Sequence, residues 1–105
     1  MNIVTFPDKS VSEVVPLVVQ FADRLQFGET VIGVTTAASV LSGTDPSPSS
    51  ILSGAPTFSG TEVTQAVTGG VAGCIYSIVF IAAGSGTHTY IKVGRLAVLP
   101  DANQF

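Results

Sequence analysis

The stretch GGVAGCIYSIVFIAAGSG, residues 69–86, decides the fold of this chain. Its apolar run extends from Val71 to Ala83 and includes Ser77, so it is shorter than the roughly 20 residues that a membrane-spanning helix needs. Glycines on both sides supply turns, which predicts a β-strand. This strand is apolar on both of its faces, and that property governs the interpretation of the whole chain.

Successive side chains of a strand point to opposite faces of a sheet. One face of the strand would carry Cys74, Tyr76, Ile78 and Phe80, and the other would carry Ile75, Val79 and Ile81. A sandwich core buries only one of these sets, so a loop, a terminal arm or another protein chain must cover the second. Because the sequence has few charges, we favour another chain, and the second set supplies three interface candidates.

The composition limits the classes of function. A chain of 105 residues allows one domain with one core. Charged residues make up 10% of it, against about 25% in typical proteins, and the net charge is −3. Its four cations are scattered, so we expect no nucleic-acid partner. The single cysteine, Cys74, excludes an intrachain disulfide and a multi-cysteine metal site, and we expect no cofactor.

The rest of the chain also has an all-β pattern, with short β-branched runs separated by glycine and proline turns. About seven strands and one helical turn, Ala22 to Leu25, predict an immunoglobulin-like β-sandwich, with a jelly roll or small barrel as the alternative. Gly73 and Tyr76 suggest a tyrosine corner, in which the phenol bonds to an upstream main-chain group. Residues 13–21 would form a strand in which Pro16 predicts either an unpaired side at that position or an edge position.

The last strand, residues 87–100, contains a change of phase. Ile91 and Val93 have odd numbers, whereas Leu96 and Val98 have even numbers. A β-bulge near Gly94 would return all four side chains to the core.

The two ends of the chain are predicted to lie outside the main sandwich of residues 13–100. Residues 1–12 would form an N-terminal arm with a first short strand, and residues 101–105 a C-terminal tail. Phe6 and Phe105 could dock on neighbouring chains, which adds them to the interface candidates. The alternative is that these arms fold back on their own domain or fray.

Catalytic patterns are lacking in the sequence. His88 is the single histidine, flanked by threonines, and is expected at the surface. Asp45 and Glu62 have no spacing that would bring them together as a carboxylate pair. There is no nucleophile elbow, and GGVAG lacks the lysine and hydroxyl residue of a phosphate loop. We therefore predict that the protein is not an enzyme.

Four stretches, read together, resemble the small immunoglobulin-like structural proteins of tailed bacteriophages. They are KSVSEVVPLVVQF, ADRLQFGETVIG, GTEVTQAVTGGVAGCIYSIVFIA and RLAVLP, which cover residues 9 to 100. The positions that carry the resemblance are Lys9, Glu13, Asp23, Leu25, Gly28, Glu29, Thr30, Val31, Gly69, Gly70, Gly73, Tyr76 and Ile78. The chain departs from the pattern in lacking a Trp or Tyr before Asp23, where Phe21 stands instead.

This resemblance implies a virion structural protein, an adaptor that connects tail fibres to the tail or portal region. The expected partners are other phage tail, fibre or portal proteins, with several copies in a ring or shell and no membrane. The N-terminus, MNIVTFPDKS, has no export-signal pattern, so we expect assembly in the host cytoplasm. Capsid decoration, head-to-tail completion and a monomeric carbohydrate-binding module remain as alternatives.

Overall fold

The structure, a computed structural model, describes residues 3–101 and is all-β. Its strands are β1 (Ile3–Thr5), β2 (Lys9–Ser10), β3 (Val15–Gln20), β4 (Val31–Ser42), β5 (Leu52–Ser59), β6 (Glu62–Val67), β7 (Ile75–Gly84) and β8 (Thr89–Leu99). The helix found among these residues is a single 3₁₀ turn, Pro48–Ile51. No helix in the described part of the chain has the length and apolar character to cross a membrane.

The strands form two sheets in a sandwich-like arrangement. A five-stranded sheet has the order β1-β8-β7-β4, with β2 also paired to β8, and a three-stranded sheet has the order β3-β6-β5. β1 and β2 run parallel to β8, whereas the other pairs are antiparallel. The quoted stretch supplies β7, which is an interior strand of the larger sheet.

The core lies between the two sheets, and β7 contributes its largest side chains. Tyr76, Ile78 and Phe80 are fully buried, as the sequence predicts for this face of the strand. Val63 and Val67 of β6 face them from the other sheet and are equally buried. The prediction of a buried core face for the central strand is confirmed.

β3 also follows its prediction. Leu17, Val19 and Phe21 lie in the core, and the strand pairs with β6 alone. Pro16 therefore lies on an edge strand, as its missing N–H requires.

Two elements differ from what the sequence pattern predicts. The stretches SSILS (49–53) and PTFSG (56–60) predict two short strands, but residues 52–59 form one strand, whose pairing with β6 is irregular between Ser53 and Thr57. Gly54 allows this with a φ of +72°. The stretch SGTDPSPSS (42–50) predicts a loop, but its end forms the first part of the turn Pro48–Ile51, whose Ile51 lies in the core.

The predicted bulge near Gly94 is wrong. β7 and β8 pair without a register shift from Ile75 opposite Ala97 to Ala83 opposite Thr89. Even-numbered residues of β8 face inward throughout, including Lys92 and Gly94. The apolar residues change from odd to even positions because the two inward positions 92 and 94 carry a lysine and a glycine. Ile91 and Val93 lie on the opposite face of the sheet.

The N-terminal segment is part of the larger sheet rather than a separate arm. β1 and β2 both pair with β8. Phe6 is 7% exposed, and its ring centroid lies 6.1 Å from that of Phe80. Phe6 thus packs inside its own chain, contrary to the expectation that it docks on a neighbour. Phe105 and residues 102–104 lie outside the described residues.

Candidate docking face

The five-stranded sheet has an apolar surface on the side that faces away from the core. The alternating apolar residues of the stretch 69–86 predict such a surface. Ile75, Val79 and Ile81 project from β7 on the side opposite the core, and each is half-buried. They share this side with apolar residues of the two strands on one flank of β7. We call the following six side chains the outer face: Ile3, Ile75, Val79, Ile81, Ile91 and Val93.

Cross-strand register joins five of the six side chains of the outer face, all except Ile75, into one patch. Val79 lies opposite Val93 in β8, and Val93 lies opposite Ile3 in β1. Ile81 lies opposite Ile91 in the next row. Side chains directly opposite in neighbouring strands are in contact distance. Ile3 and Ile91 are each 48% exposed, so the surface ends in open apolar side chains.

Small residues flank the outer face on β4. Thr35 lies opposite Ile81 and Ala37 opposite Val79. Both are exposed, and neither rises far above the backbone. The large aliphatic side chains therefore form a ridge along β7, β8 and β1, with a lower border on β4.

The outer side of this sheet carries one charged side chain among residues 3–101, Arg95. It lies opposite Ser77 in β7 and Thr5 in β1, one row from the Val79–Val93 pair. It is exposed, and none of the ion pairs of the described residues includes it. The Ser77–Arg95 row separates Ile75 from the other five side chains, so Arg95 places a cation at the border of the aliphatic patch that those five form.

Two of the four cations point into the molecule, which the sequence did not reveal. Lys92 donates to the Gln20 carbonyl and to Asp23 Oδ1, both at 2.6 Å. The hydrogen bond from Lys92 is the largest of the effects that lower the pKa of Asp23. Lys9 is 1% exposed and donates to the carbonyls of Ser10, Val11 and Gly69. Burial lowers the pKa of Lys9.

Residues 9–91 match the protein family described as the podophage GP4 fiber-tail adaptor protein gp77. The chain belongs to this family. Membership confirms the resemblance that the sequence suggested and implies a structural role in the phage tail, contact with fibre and tail proteins, and a place in the virion. The matched segment includes Ile75, Val79, Ile81 and Ile91 of the outer face. Comparison with curated proteins gives no match.

A buried carboxylate holds the β7–β8 hairpin of this adaptor in place. Glu29 Oε1 accepts from the Gln26 N–H at 2.9 Å and the Tyr90 hydroxyl at 2.8 Å. Its Oε2 accepts from the Gly86 N–H at 2.9 Å and lies 3.1 Å from His88 Nδ1. The Gln26 N–H, then Tyr90, His88 and Gly86, hold the pKa of Glu29 at about 2 against the opposing effect of burial.

This Glu29 cluster explains the position of His88, whose side chain is 46% exposed as expected for a surface residue. Both oxygens of Glu29 have hydrogen-bond partners in its own chain, so the carboxylate links the β3–β4 connection to the β7–β8 hairpin. The sequence showed Glu29 only as part of the adaptor-like Gly-Glu-Thr-Val motif. Gln26 is three residues away, but the other three partners lie 57 to 61 residues away, which no local pattern reveals.

A second set of hydrogen bonds, centred on Tyr76, fixes the long loop after β4. Tyr76 accepts from the Val71 N–H at 2.8 Å, the upstream main-chain bond that a tyrosine corner predicts. It also donates to Asp45 Oδ2 at 2.6 Å. Burial, and then this bond, raise the pKa of Tyr76 to about 12, while the pKa of Asp45 is lowered by the same bond. Asp45 is therefore a loop anchor, and it does not meet Glu62.

No three histidine, cysteine, aspartate or glutamate side chains within residues 3–101 lie together as a metal site. The titratable groups that the structure brings together join elements of the same domain. These hydrogen-bonded clusters do not include the side chains of the apolar outer face.

Proposed function

We propose that this protein connects tail fibres to the podophage tail and that the outer face is one of its two docking surfaces. The observation that carries the proposal is the row of Val79, Val93 and Ile3, which crosses three strands without any part of the described chain over it. Membership of the adaptor family gives the class of partner, a fibre or tail protein. An adaptor needs separate surfaces for its two partners, and we assign the outer face to one of them.

The chemistry of the outer face suits a protein partner. Interface cores are depleted in charge and rich in aliphatic and aromatic side chains, whereas their rims are polar. Val79 and Val93 would occupy the centre, with Ile81 and Ile91 at one end and Arg95 at the rim on the other. A partner with an aliphatic patch and a carboxylate at the corresponding border would complement this arrangement. Several copies per particle, arranged in a ring or shell by the tail that carries them, are part of the proposal.

Two further points belong to this proposal. The first is that the sandwich is of the immunoglobulin-like kind, which the Tyr76–Val71 bond supports. The second is that the protein has no enzymatic activity, since Glu29, His88 and Asp45 are engaged in bonds that join loops and strands.

The test is a charged residue on the outer face of a phage-encoded copy. Ile81→Asp places a carboxylate within the aliphatic patch, opposite Ile91, while leaving the core side chains unchanged. We expect the purified variant to fold, as judged by circular dichroism, and to be lost from purified particles or to leave them without fibres. Val18→Asp is the matched control, because Val18 is 46% exposed on the opposite sheet.

The outcomes separate docking from folding. If Ile81→Asp unfolds the domain, the residue belongs to the core and the assignment is wrong. Normal fibre attachment by a folded Ile81→Asp protein, or equal loss with Val18→Asp, also contradicts the assignment to this face. A photo-reactive residue at position 91 would identify the neighbour in intact particles. It is preferable to amine-reactive reagents because both Lys9 and Lys92 are buried.

A further inference from the structure

The sheet edges of this protein are protected unequally. A free strand edge exposes unpaired N–H and C=O groups, and natural proteins block such edges with proline, charge or short strands. β3 has Pro16 and β5 has Pro56. β1 and β2 are three and two residues long, and Pro7 lies between them. Three of the four edges are therefore blocked.

β4 lacks these devices. It spans 12 residues, Val31–Ser42, and pairs with β7 alone. Residues 30–44 include no proline and no charged residue. Ile32 and Leu41, near its two ends, are 60% and 54% exposed. β4 is thus a long, uncharged and open edge.

The hydrogen-bond pattern identifies which groups of β4 are free. Gly84 donates to the His88 carbonyl, and Val98 donates to the Cys74 carbonyl. Even-numbered residues of β7 therefore bond to β8, and odd-numbered residues bond to β4. Since Ile81 lies opposite Thr35 and Val79 opposite Ala37, the odd-numbered residues of β4 use their main-chain groups on β7.

The main-chain groups of the even-numbered residues consequently point away from the sheet. These residues are Val34, Thr36, Ala38 and Val40. Among the described residues, the hydrogen bond found on this side of β4 is at its start, from Val31 N to the Gly60 carbonyl. The segment between the two β4 bulges, Gly33 to Val40, has no such partner.

The side chains of the same four residues point inward but are only half-buried. By contrast, Ile78 and Phe80 at the neighbouring positions of β7 are fully buried. β5 and the 3₁₀ turn approach β4 without pairing to it, so Val34 and Val40 form a partly covered apolar flank beside the free main-chain groups. A strand paired with β4 would satisfy these main-chain groups.

We propose that β4 pairs with β4 of a second copy, antiparallel, to form a closed dimer. The other edges of each copy are blocked, so the edge of β4 is the one that a copy can offer. Self-pairing places no like charges opposite each other, because the segment is uncharged. A two-fold contact of this kind uses the same surface twice and does not propagate.

The free groups also fix the register. All four even-numbered residues find partners only if Val34 lies opposite Val40 of the second copy and Thr36 opposite Ala38. The two-fold axis then passes through Ala37. The two Ala37 residues face each other in a non-hydrogen-bonded pair, where Cα atoms approach to about 4.5 Å and a small side chain is favourable.

The experiment measures the mass of the purified full chain by sedimentation, together with amide exchange. We expect a dimer that dissociates on dilution, with the amides of Val34, Thr36, Ala38 and Val40 protected only in the dimer. The amides of Thr35 and Ala37 should be protected in both states. A monomer at all concentrations, with the four edge amides exchanging freely, would overturn the proposal and leave the edge to a strand of a fibre or tail protein.

Charge variants at the axis test the register. Ala37→Lys places two ammonium groups face to face and should weaken the dimer by roughly tenfold or more. Thr57→Lys, which adds the same charge to the exposed surface of β5, is the matched control and should leave the dimer unchanged. Mixing Ala37→Lys with Ala37→Glu should restore a mixed dimer. A dimer that tolerates Ala37→Lys as well as Thr57→Lys would contradict the β4 contact. These measurements use the isolated protein, so their outcome is independent of fibre attachment.

Discussion

The Lys92 ammonium lies 2.6 Å from Asp23 Oδ1, inside the sandwich end where β8 meets the connection after β3. The same group donates to the Gln20 carbonyl and lies 5.5 Å from the centroid of the Phe21 ring. A lysine at an inward position of β8 therefore has a full set of partners. This arrangement lets Ile91 and Val93 face outward without a bulge, and so it supplies part of the outer face.

Replacing Lys92 by methionine should destabilise the protein by about 2 kcal/mol, since charge-assisted hydrogen bonds contribute roughly 1.5–3 kcal/mol. The loss comes mainly from the Gln20 carbonyl, because the Asp23 side chain is 64% exposed and regains water. Urea denaturation measures the change. Arg95→Met, which removes an exposed cation from the same strand, should leave the free energy of unfolding unchanged. Equal stability of the two variants would show that burying the ammonium cancels its bonds.

Lys9→Met should destabilise the protein more, by about 3–5 kcal/mol, because it removes one buried donor that serves three partly buried carbonyls. The lysine joins β2 to the turn at Gly69 through a 2.7 Å bond. Asp8→Asn, at the neighbouring exposed position, is the control and should have little effect. Chemical denaturation gives the difference, and a loss no larger than that of Asp8→Asn would contradict the role of the three bonds.

The stability difference between wild type and Lys9→Met should also depend on pH. Burial lowers the pKa of Lys9 below its usual 10.5, so the folded protein binds fewer protons than the unfolded chain between the lowered pKa and 10.5. The free energy of unfolding of the wild type should therefore rise with pH in this window, relative to the variant. A difference that stays constant across the window would contradict the lowered pKa.

Acid should release the Glu29 cluster. The pKa of Glu29 is about 2 in the folded protein and about 4.5 in the unfolded chain, so its contribution to stability is present above pH 4.5 and is lost as the pH falls toward 2. Glu29→Gln should lower stability at pH 7, because the amide turns a donor toward the Gly86 N–H or His88. The free energy of unfolding of this variant should also depend less on pH between 4.5 and 2 than that of the wild type.

Glu62→Gln is the control for this change, because Glu62 is exposed on β6 and makes none of these bonds. Its acid-unfolding curve, followed by circular dichroism, should match that of the wild type. If Glu29→Gln gives the same curve as Glu62→Gln, then Glu29 does not couple the hairpin to folding.

The extent to which sequence predicts this structure depends on the range of the interactions. The apolar alternation of β7 correctly assigned Tyr76 to the core and Ile81 to the opposite side, because strand periodicity is a local property. Lys92 could not be placed, because its partners at Gln20 and Asp23 lie 72 and 69 residues away. The same holds for Glu29. The adaptor role came from the order of several weak motifs, and no single residue specified it.

The glycine at position 94 provides a test of how the N-terminal segment is held. A Cβ atom at Gly94 would overlap the Phe6 ring, and it would lie 2.9 Å from Phe6 Cζ. Gly94→Ala should therefore displace Phe6 and loosen β1, with a loss of about 1–3 kcal/mol, as is usual for overpacking. Gly33→Ala is the matched control, since its nearest neighbour would be Ala83 Cβ at 3.9 Å. It should be close to neutral.

A double-mutant cycle isolates this contact. Phe6→Ala alone should cost about 3 kcal/mol, the lower range for a buried phenylalanine. In the Phe6→Ala background, Gly94→Ala should then have little further effect, since the ring that it displaces is gone. Urea denaturation of the four proteins gives a coupling energy of roughly 1–2 kcal/mol if the two residues interact. Additive effects would mean that Gly94 has another role, and that the close approach of Phe6 is not what requires a glycine in the middle of β8.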